Sequence, residues 1–396
     1  MSADASLTEL LRPMTVDAFI AEVWGMTACV VRKGQPGDFA SLFSVSAMEA
    51  FLQYVWPDQA AVRLVRGDRS KSPEDFRLSN GSVDMVRVRN HFADGYTLVL
   101  NGLDRHVPAI ATLAHAIEVE LNFETQVNAY ITPPKSQGFL AHYDDHDVLI
   151  LQIEGSKTWR LYGPEADVPP RLLPLRDRFS ADRLPEPSDL ILEAGDVLYL
   201  PRGRVHAAEA QEEPSIHLTF GIHPPTLMAL ALKTLESLSL RDDRLLSQLP
   251  PRYLAKGPEP AQLSDRVRDV LGLIDETALS EGVSALEDLL VRRGRCSLAG
   301  RLVADALHAG QINARTWVER SHPLYARVLA LNDGVALQFA QSLVPAGQDH
   351  RAAILYLSRR TGAFQVGDIP DLAESQQIEL ARKLIVDGFL IRLPEA

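Results

Sequence analysis

The residues with the clearest chemical potential are His142, Asp144 and His206. His142 and Asp144 form an H-x-D motif in a β-rich segment, and residues i and i+2 of a strand point to the same face. Farther along, the run GDVLYLPRGRVH ends in His206 after a turn rich in proline and glycine. Two histidines and one carboxylate form the facial triad of non-haem Fe(II) oxygenases, which leaves positions open for cosubstrate and oxygen. We therefore predict an Fe(II) site made by these three residues.

A lone H-x-D motif also occurs by chance, so the residues around it decide how specific the motif is. Asp145 alternates to the opposite face of the strand. His146 shares parity with Asp144 but begins the next run, so we expect at most a supporting role. Lys157 opens the run KTWRLYG after a tight turn. If the oxygenase uses 2-oxoglutarate as its cosubstrate, a buried lysine here would form a charge-assisted bond to the distal carboxylate of that cosubstrate. The alternative is a solvated lysine at the end of a hairpin.

The elements that must position these residues change in kind along the chain. The N-terminal segment predicts helices, the second with Ser46 and Glu49 in capping-box spacing. Short β-type runs follow, including SVDMVRVRN, and a helix is predicted over 107–121. Residues 126–224 are almost entirely strand-like with Gly/Pro punctuation, which is typical of a jelly roll or barrel.

The remainder of the chain predicts further helices and a small mixed segment. Residues 226–310 have helical spacing of apolar residues, which indicates either a core or a dimer seam. Asn332, Asp333 and Gly334 separate two short apolar runs and predict a hairpin. The following order of helix, turn, helix and strand is typical of a winged helix. The whole chain is therefore predicted to be mixed α+β.

Composition excludes several classes of protein. Apolar residues make up 46% and charged residues 23%, which are ordinary globular values. A net charge of −12 argues against a general nucleic-acid binder. Cys29 and Cys296 form no CxxC motif, so a thiolate zinc site is excluded. The sequence shows neither a signal peptide nor an apolar span of membrane length, so we expect a cytoplasmic protein.

A series of short motifs carries a family resemblance. NAYITPP, QGF, HYDD, LQIEGSKTWRLY, PRGRVH and IHLT follow one another across residues 126–223. Their order and spacing resemble the JmjC-type ribosomal oxygenases, also called the cupin-4 family. The resemblance extends more loosely through the upstream helices and the downstream segments.

This resemblance implies an architecture and an activity. It implies a catalytic domain over 1–225 with a double-stranded β-helix (jelly-roll or cupin-like) core, a helical dimerisation domain over 226–310 and a winged helix over 311–396. The implied activity is Fe(II)- and 2-oxoglutarate-dependent hydroxylation, with O2, of a His or Arg side chain in a ribosomal protein. The implied assembly is a homodimer, and neither a membrane nor a nucleic acid is expected as partner.

The resemblance also implies roles for individual residues. His142, Asp144 and His206 look like the iron ligands, and no catalytic residue beyond them is implied. The cosubstrate-binding residues would be Lys157, Asn128, His217 and Thr219. The substrate-binding residues would be Tyr130 and Gly221. Two features point in different directions: histidine-hydroxylating members carry serine at the position of Gly221, whereas lysine at position 157 resembles that same branch.

Three other functions remain open. The oxygenase could act on a free amino acid or a peptide natural product, since one fold hosts many substrates. The winged helix could belong to a DNA-binding regulator, but residues 349–396 carry six Lys/Arg against seven Asp/Glu, a poor balance for binding phosphate. A metal-binding cupin without 2-oxoglutarate chemistry is the third, and it would have no need of Lys157 and Asn128.

Overall fold

The computed structural model describes residues 6–33, 39–54, 61–163, 184–249, 251, 260–296 and 311–393. The chain divides into two compact units, Met1–Pro224 and Pro225–Ala396. Each unit combines helices with antiparallel sheets. The predicted mixture of α and β structure is therefore confirmed. Of the predicted helical segment 226–310, residues 250, 252–259 and 297–310 lie outside the described residues.

Ten helices occur in the described ranges. Those of the first unit are α1 (Leu7–Leu11), α2 (Val16–Glu22), α3 (Val45–Tyr54), α4 (Met85–Ala93) and α5 (Pro108–Leu121). Those of the second unit are α6 (Leu227–Ser239), α7 (Pro260–Leu271), α8 (Glu276–Arg293), α9 (Arg351–Arg359) and α10 (Glu374–Val386). None of the described helices combines the length and the apolar character that crossing a membrane requires.

The first unit contains two sheets. Its strands are β1 (Cys29–Val31), β2 (Val62–Arg66), β3 (Arg69–Ser70), β4 (Thr97–Leu100), β5 (Glu124–Thr132), β6 (Asp147–Glu154), β7 (Ser156–Leu161), β8 (Ser188–Glu193), β9 (Val197–Leu200), β10 (His206–Ala210) and β11 (Ser215–His223). The larger sheet has the order β1-β9-β6-β11-β5-β4-β2-β3, and the smaller has the order β10-β7-β8.

Strand β11 shows how the larger sheet separates a core from a site. Its residues Ile216, Leu218, Phe220 and Ile222 are buried in the main apolar cluster, together with residues of α5 and the N-terminal helices. The alternate residues lie on the other face because successive side chains of a strand point to opposite sides. That other face carries His217 and Thr219, which line a cavity described below.

Two local expectations are wrong. The run SVDMVRVRN forms α4 rather than a strand: Asp84 accepts hydrogen bonds from the backbone of Val86 and Arg87, and apolar residues recur at helical spacing. Helix α3 begins at Val45, and the side chain of Ser44 accepts the bond from Ala47. Ser46 therefore lies inside the helix instead of capping it.

The second unit has two further three-stranded sheets. They have the orders β16-β12-β17 and β13-β14-β15. The strands are β12 (Trp317–Arg320), β13 (Ala326–Leu331), β14 (Gly334–Phe339), β15 (Ser342–Gly347), β16 (Phe364–Gln365) and β17 (Leu390–Arg392). Leu331 pairs with Gly334, which confirms the hairpin at Asn332-Asp333.

The turn between β6 and β7 fixes the start of the strand that carries Lys157. Gly155 has φ +63°, in the left-handed region, and a Cβ there would overlap the carbonyl oxygen of Pro214. Both the backbone conformation and the close approach therefore require glycine. The predicted tight turn is present, and Lys157 follows it on β7.

We expect Gly155→Ala to lower the free energy of unfolding by more than Gly81→Ala does. Gly81 also has a positive φ (+85°), but nothing lies within 4 Å of its missing Cβ. Each variant carries the cost of a left-handed alanine, about 1–3 kcal/mol, and only Gly155→Ala adds the steric overlap. Chemical denaturation of both variants measures the difference, and equal losses would contradict this account of the turn.

Candidate metal centre

Main-chain hydrogen bonds join the two halves of the predicted triad. His142 and His206 form an isolated antiparallel bridge. The amide of His142 donates to the carbonyl of His206 at 3.0 Å, and the amide of His206 donates back at 2.8 Å. The amide of Gly203 donates to the carbonyl of Asp144 at 2.9 Å. The backbone therefore brings together residues that are distant in sequence.

The three side chains converge as a metal site requires. One ligand atom from each of His142, Asp144 and His206 lies within 4.8 Å of the others, and the described residues contain no other such group. Nε2 of His206 is 3.8 Å from a carboxylate oxygen of Asp144. The spacing suits ligands around one ion at metal–nitrogen and metal–oxygen distances near about 2 Å.

Hydrogen bonds fix the orientation of both imidazoles. Nδ1 of His142 lies 2.7 Å from the carbonyl of Leu140, and Nδ1 of His206 lies 2.9 Å from the carbonyl of Arg204. A carbonyl can only accept, so each Nδ1 carries the proton and each Nε2 is left to ligate. Burial, together with the neighbouring His142, lowers the pKa of His206 to about 4. That imidazole is therefore neutral at physiological pH, as a ligand must be.

A buried pair that no sequence motif predicted supports the loop before His206. The hydroxyl of Tyr199 donates to the carboxylate of Asp147 at 2.5 Å, and the amide of Arg202 donates to the same oxygen at 3.4 Å. Burial raises the pKa of Asp147. The ring of Tyr199 stacks on Trp24 with centroids 5.5 Å apart. Asp147 thus links the start of β6 to the turn that leads to the third ligand.

A cavity of about 60 Å³ lies beside the triad. Its lining includes the predicted residues Tyr130, Lys157, His217 and Thr219. It also includes Thr97, Phe139 and Trp159, which the residue pattern did not single out. The cavity is therefore bounded by the triad at one end and by a buried lysine elsewhere in its wall.

Lys157 is a buried cation. It is only 3% exposed, so the alternative of a solvated lysine is wrong. Its ammonium donates to the hydroxyl of Thr132 at 2.8 Å and lies 3.3 Å from Nδ1 of His217. Burial lowers the pKa of Lys157 to about 7. No described carboxylate forms a salt bridge with it, so an anionic ligand would supply its missing counter-charge.

Trp159 contributes a polar atom without a hydrogen-bond partner among the described residues. This atom is the indole N–H, and Trp159 is 4% exposed. Across the smaller sheet, Lys157 pairs with Ala210 and Leu161 with His206, and Trp159 lies between them. Lys157, the indole of Trp159 and His206 therefore lie in succession along one sheet. This arrangement suits an elongated anionic ligand that also reaches the metal.

The remaining predicted residues have different surroundings. His217 stacks on Tyr130 with centroids 4.8 Å apart, and burial lowers the pKa of His217 well below its ordinary value. The amide oxygen of Asn128 accepts from the backbone of Gly102 at 3.0 Å, and Asn128 does not line the cavity, although it pairs with Thr219. Gly221 also lies outside the lining, one pleat beyond Thr219.

Comparison with known proteins identifies the class to which this fold and site belong. Residues 105–230 match the JmjC domain. The chain therefore contains a JmjC, or cupin-type, domain, and the matched residues include the triad and every cavity-lining residue except Thr97.

Curated relatives are similar to a longer part of the chain. The "bifunctional lysine-specific demethylase and histidyl-hydroxylase NO66" of Drosophila mojavensis is 29% identical over 280 residues, covering 66% of this chain and 31% of the relative. "Ribosomal oxygenase 1" of Bos taurus is 32% identical over 217 residues, covering 53% and 32%. The resemblance to JmjC-type ribosomal oxygenases is confirmed, and the chain spans about a third of the length of these curated relatives.

Solved structures share the fold over nearly the whole chain. Escherichia coli ycfD has a TM-score of 0.58 at 17% identity, covering 96% of this chain and 98% of that protein. The same ribosomal oxygenase, in complex with cobalt and 2-oxoglutarate, has a TM-score of 0.55. At this identity the likeness establishes the fold.

We expect His142→Ala and His206→Ala each to lower the affinity for Mn(II), an inert substitute for Fe(II), by more than about 100-fold. Loss of a single supporting bond in a metal site already costs about 10- to 100-fold. His115→Ala is the control, because that imidazole is paired with Glu118 on α5. Electron paramagnetic resonance of free Mn(II) measures binding, and unchanged affinity in either triad variant would contradict the site.

Proposed function

We propose that this chain is an Fe(II)- and 2-oxoglutarate-dependent oxygenase that hydroxylates a His or Arg side chain of a ribosomal protein. The observation that carries the proposal is one cavity bounded by a His-Asp-His triad and by a buried lysine without a carboxylate partner among the described residues. The triad suits Fe(II), and the lysine suits the far carboxylate of 2-oxoglutarate.

Each predicted residue would have its own role in this reaction. His142, Asp144 and His206 would hold the iron. Lys157 would bind the far carboxylate of the cosubstrate, while His217 and Thr219 would line its pocket and Asn128 would brace the adjoining strand. Tyr130 and Gly221 would lie toward the substrate. When bound, iron with 2-oxoglutarate and O2 supplies an oxidant that converts a C–H bond into an alcohol and leaves succinate and CO2.

The protein's own contribution to this reaction is positioning and exclusion of water. The two backbone-bound imidazoles keep their Nε2 atoms available without a proton. Lys157 and the unpartnered indole of Trp159 would fix the cosubstrate at its far end. Apolar neighbours such as Val148 and Ile150 line the same cavity and keep the reacting atoms dry.

The alternative functions have less support. A cupin without 2-oxoglutarate chemistry has no use for a buried, uncompensated Lys157. The relatives named ribosomal oxygenase favour a ribosomal protein over a free amino acid, and such a substrate accords with a cytoplasmic enzyme. A net charge of −12 also favours a basic partner through long-range attraction. A DNA-binding regulator is disfavoured by the neutral charge balance of its C-terminal module.

We further propose that 226–310 forms a helical dimerisation domain and 311–396 a winged helix. On α6, Leu238 is only 4% exposed, so this side chain belongs to the core of the chain itself. Leu227, Met228 and Leu232 are 85%, 66% and 53% exposed. An apolar face of this kind on a helix favours burial against a second copy of the chain.

Mass spectrometry of ribosomal proteins tests the function. Ribosomal proteins from cells lacking this protein are compared with those from cells expressing the wild type or His206→Ala. We expect one peptide to gain the mass of one oxygen at a His or Arg with the wild type alone, because the variant lacks an iron ligand. Turnover of a free amino acid without any modified ribosomal peptide would contradict the proposal and favour the small-molecule alternative.

We expect Lys157→Met to weaken 2-oxoglutarate binding to the Mn(II) protein by about 10- to 100-fold, the effect of losing a buried charge-assisted bond. Since the pKa of Lys157 is about 7 without ligand, and a bound carboxylate raises it, binding at pH 8 should take up about one proton. Wild-type affinity should therefore fall as pH rises above about 7.

Calorimetry in two buffers of different ionisation enthalpy measures both quantities. Arg160→Met is the matched control, because Arg160 lies on the opposite face of the same strand and pairs with Glu209 at 2.9 Å. It should change neither affinity nor proton uptake. Proton uptake that persists in Lys157→Met would assign the titrating group elsewhere.

A further inference from the structure

Gly221 lies where the cavity wall continues beyond Thr219. On β11, His217, Thr219, Gly221 and His223 share one face, and the first two line the cavity. Gly221 pairs with Val148 on β6, and Val148 also lines the cavity. The missing side chain of Gly221 therefore leaves a space on the inner face of the sheet, next to the residues of the site.

His146 fills that space. A Cβ at Gly221 would lie 2.7 Å from Nε2 and 2.8 Å from Cδ2 of His146, so no side chain fits there while the imidazole keeps its place. The ring of His146 rests against His223 with centroids 4.2 Å apart and planes 30° apart. Glycine at position 221 is thus the condition that allows an imidazole to lie on this wall.

The imidazole is oriented from behind. Nδ1 of His146 lies 3.0 Å from a carboxylate oxygen of Asp145. A carboxylate can only accept, so Nδ1–H is the donor, and the edge of the ring that carries Nε2 lies over Gly221. The side chain of His146 is 23% exposed and follows Asp144 by two residues. A ring nitrogen backed by a carboxylate therefore lies over Gly221, on the face of β11 that also carries Thr219.

We propose that His146 is a specificity-determining residue, which accepts a hydrogen bond from the cationic N–H group of a substrate arginine. This inference rests on the proposed function and narrows its substrate to one of the two side chains. A guanidinium is always charged and offers five N–H donors, so it complements an acceptor with the negative charge of Asp145 behind it. A neutral imidazole offers one donor and no charge. A serine at position 221 would displace His146. Glycine at this position therefore determines whether His146 can contact the substrate.

Binding to the Mn(II) protein with 2-oxoglutarate tests the proposal without turnover. The probes are three capped basic pentapeptides that differ only in a central arginine, histidine or glutamine. Broadening of their proton resonances by Mn(II) reports binding near the triad, and titration gives the affinity. We expect the arginine peptide to bind most tightly to the wild type, with its side-chain resonances the most broadened.

Two variants of similar size separate a hydrogen bond from packing. His146→Leu should weaken binding of the arginine peptide by about tenfold or more, whereas His146→Gln, which keeps an acceptor, should recover most of it. Affinity for Mn(II) and 2-oxoglutarate should stay at the wild-type value in both. Gly221→Ser should lose the preference for arginine, because the new Cβ displaces the imidazole.

The outcomes distinguish this inference from the function on which it rests. Equal binding of the three peptides to the wild type, no binding at all, or unchanged arginine binding in His146→Leu would overturn the role of His146 while metal and cosubstrate still bind. Failure of the wild type to bind Mn(II) or 2-oxoglutarate would instead overturn the proposed function, and the inference with it.

Discussion

The site depends on the backbone bridge between His142 and His206. Two main-chain hydrogen bonds join the segment before β6 to the first residue of β10, and β6 and β10 belong to different sheets. Each histidine then anchors its Nδ1 on a carbonyl two residues earlier in the chain. Backbone and ring are therefore fixed by the same short segments, so hydrogen bonds of the protein itself preorganise the metal ligand set.

Burial of Lys157 is the second constraint, and it acts against stability until an anion is present. A buried ammonium with a hydroxyl and an imidazole as neighbours has lost hydration without gaining a carboxylate partner from the part of the chain that the structure describes, and its pKa of about 7 reflects that loss. The close turn at Gly155 keeps the lysine at this position. The protein thus holds in place a cation whose full stabilisation comes only with a ligand, which couples occupancy of the cavity to its charge.

The sequence predicted those features that short-range rules control. Parity along a strand was enough for His142 and Asp144, and hydrophobic periodicity was enough for the mixed α and β architecture. Periodicity gave the wrong prediction for α4, because its valines also occur at alternating positions and the run therefore resembled a strand. The structure has a helix there, with Asp84 as its N-cap. The contacts of Trp159, Thr132 and Asp147 could not be predicted, because they depend on the register between strands that are far apart in sequence.

Gly221 departs from the family pattern, and the consequence of this departure is visible only in the structure. In the sequence it is a lost polar residue, and with Lys157 it gave two conflicting indications of the substrate. In the structure the space above it is occupied by His146, a side chain 75 positions earlier in the chain. The polar group on this wall has therefore not been lost; a different residue supplies it, from another strand end and with a carboxylate behind it. Under the proposed function, position 157 would concern the far carboxylate of the cosubstrate and positions 146 and 221 would concern the substrate, so the two indications would describe different ligands.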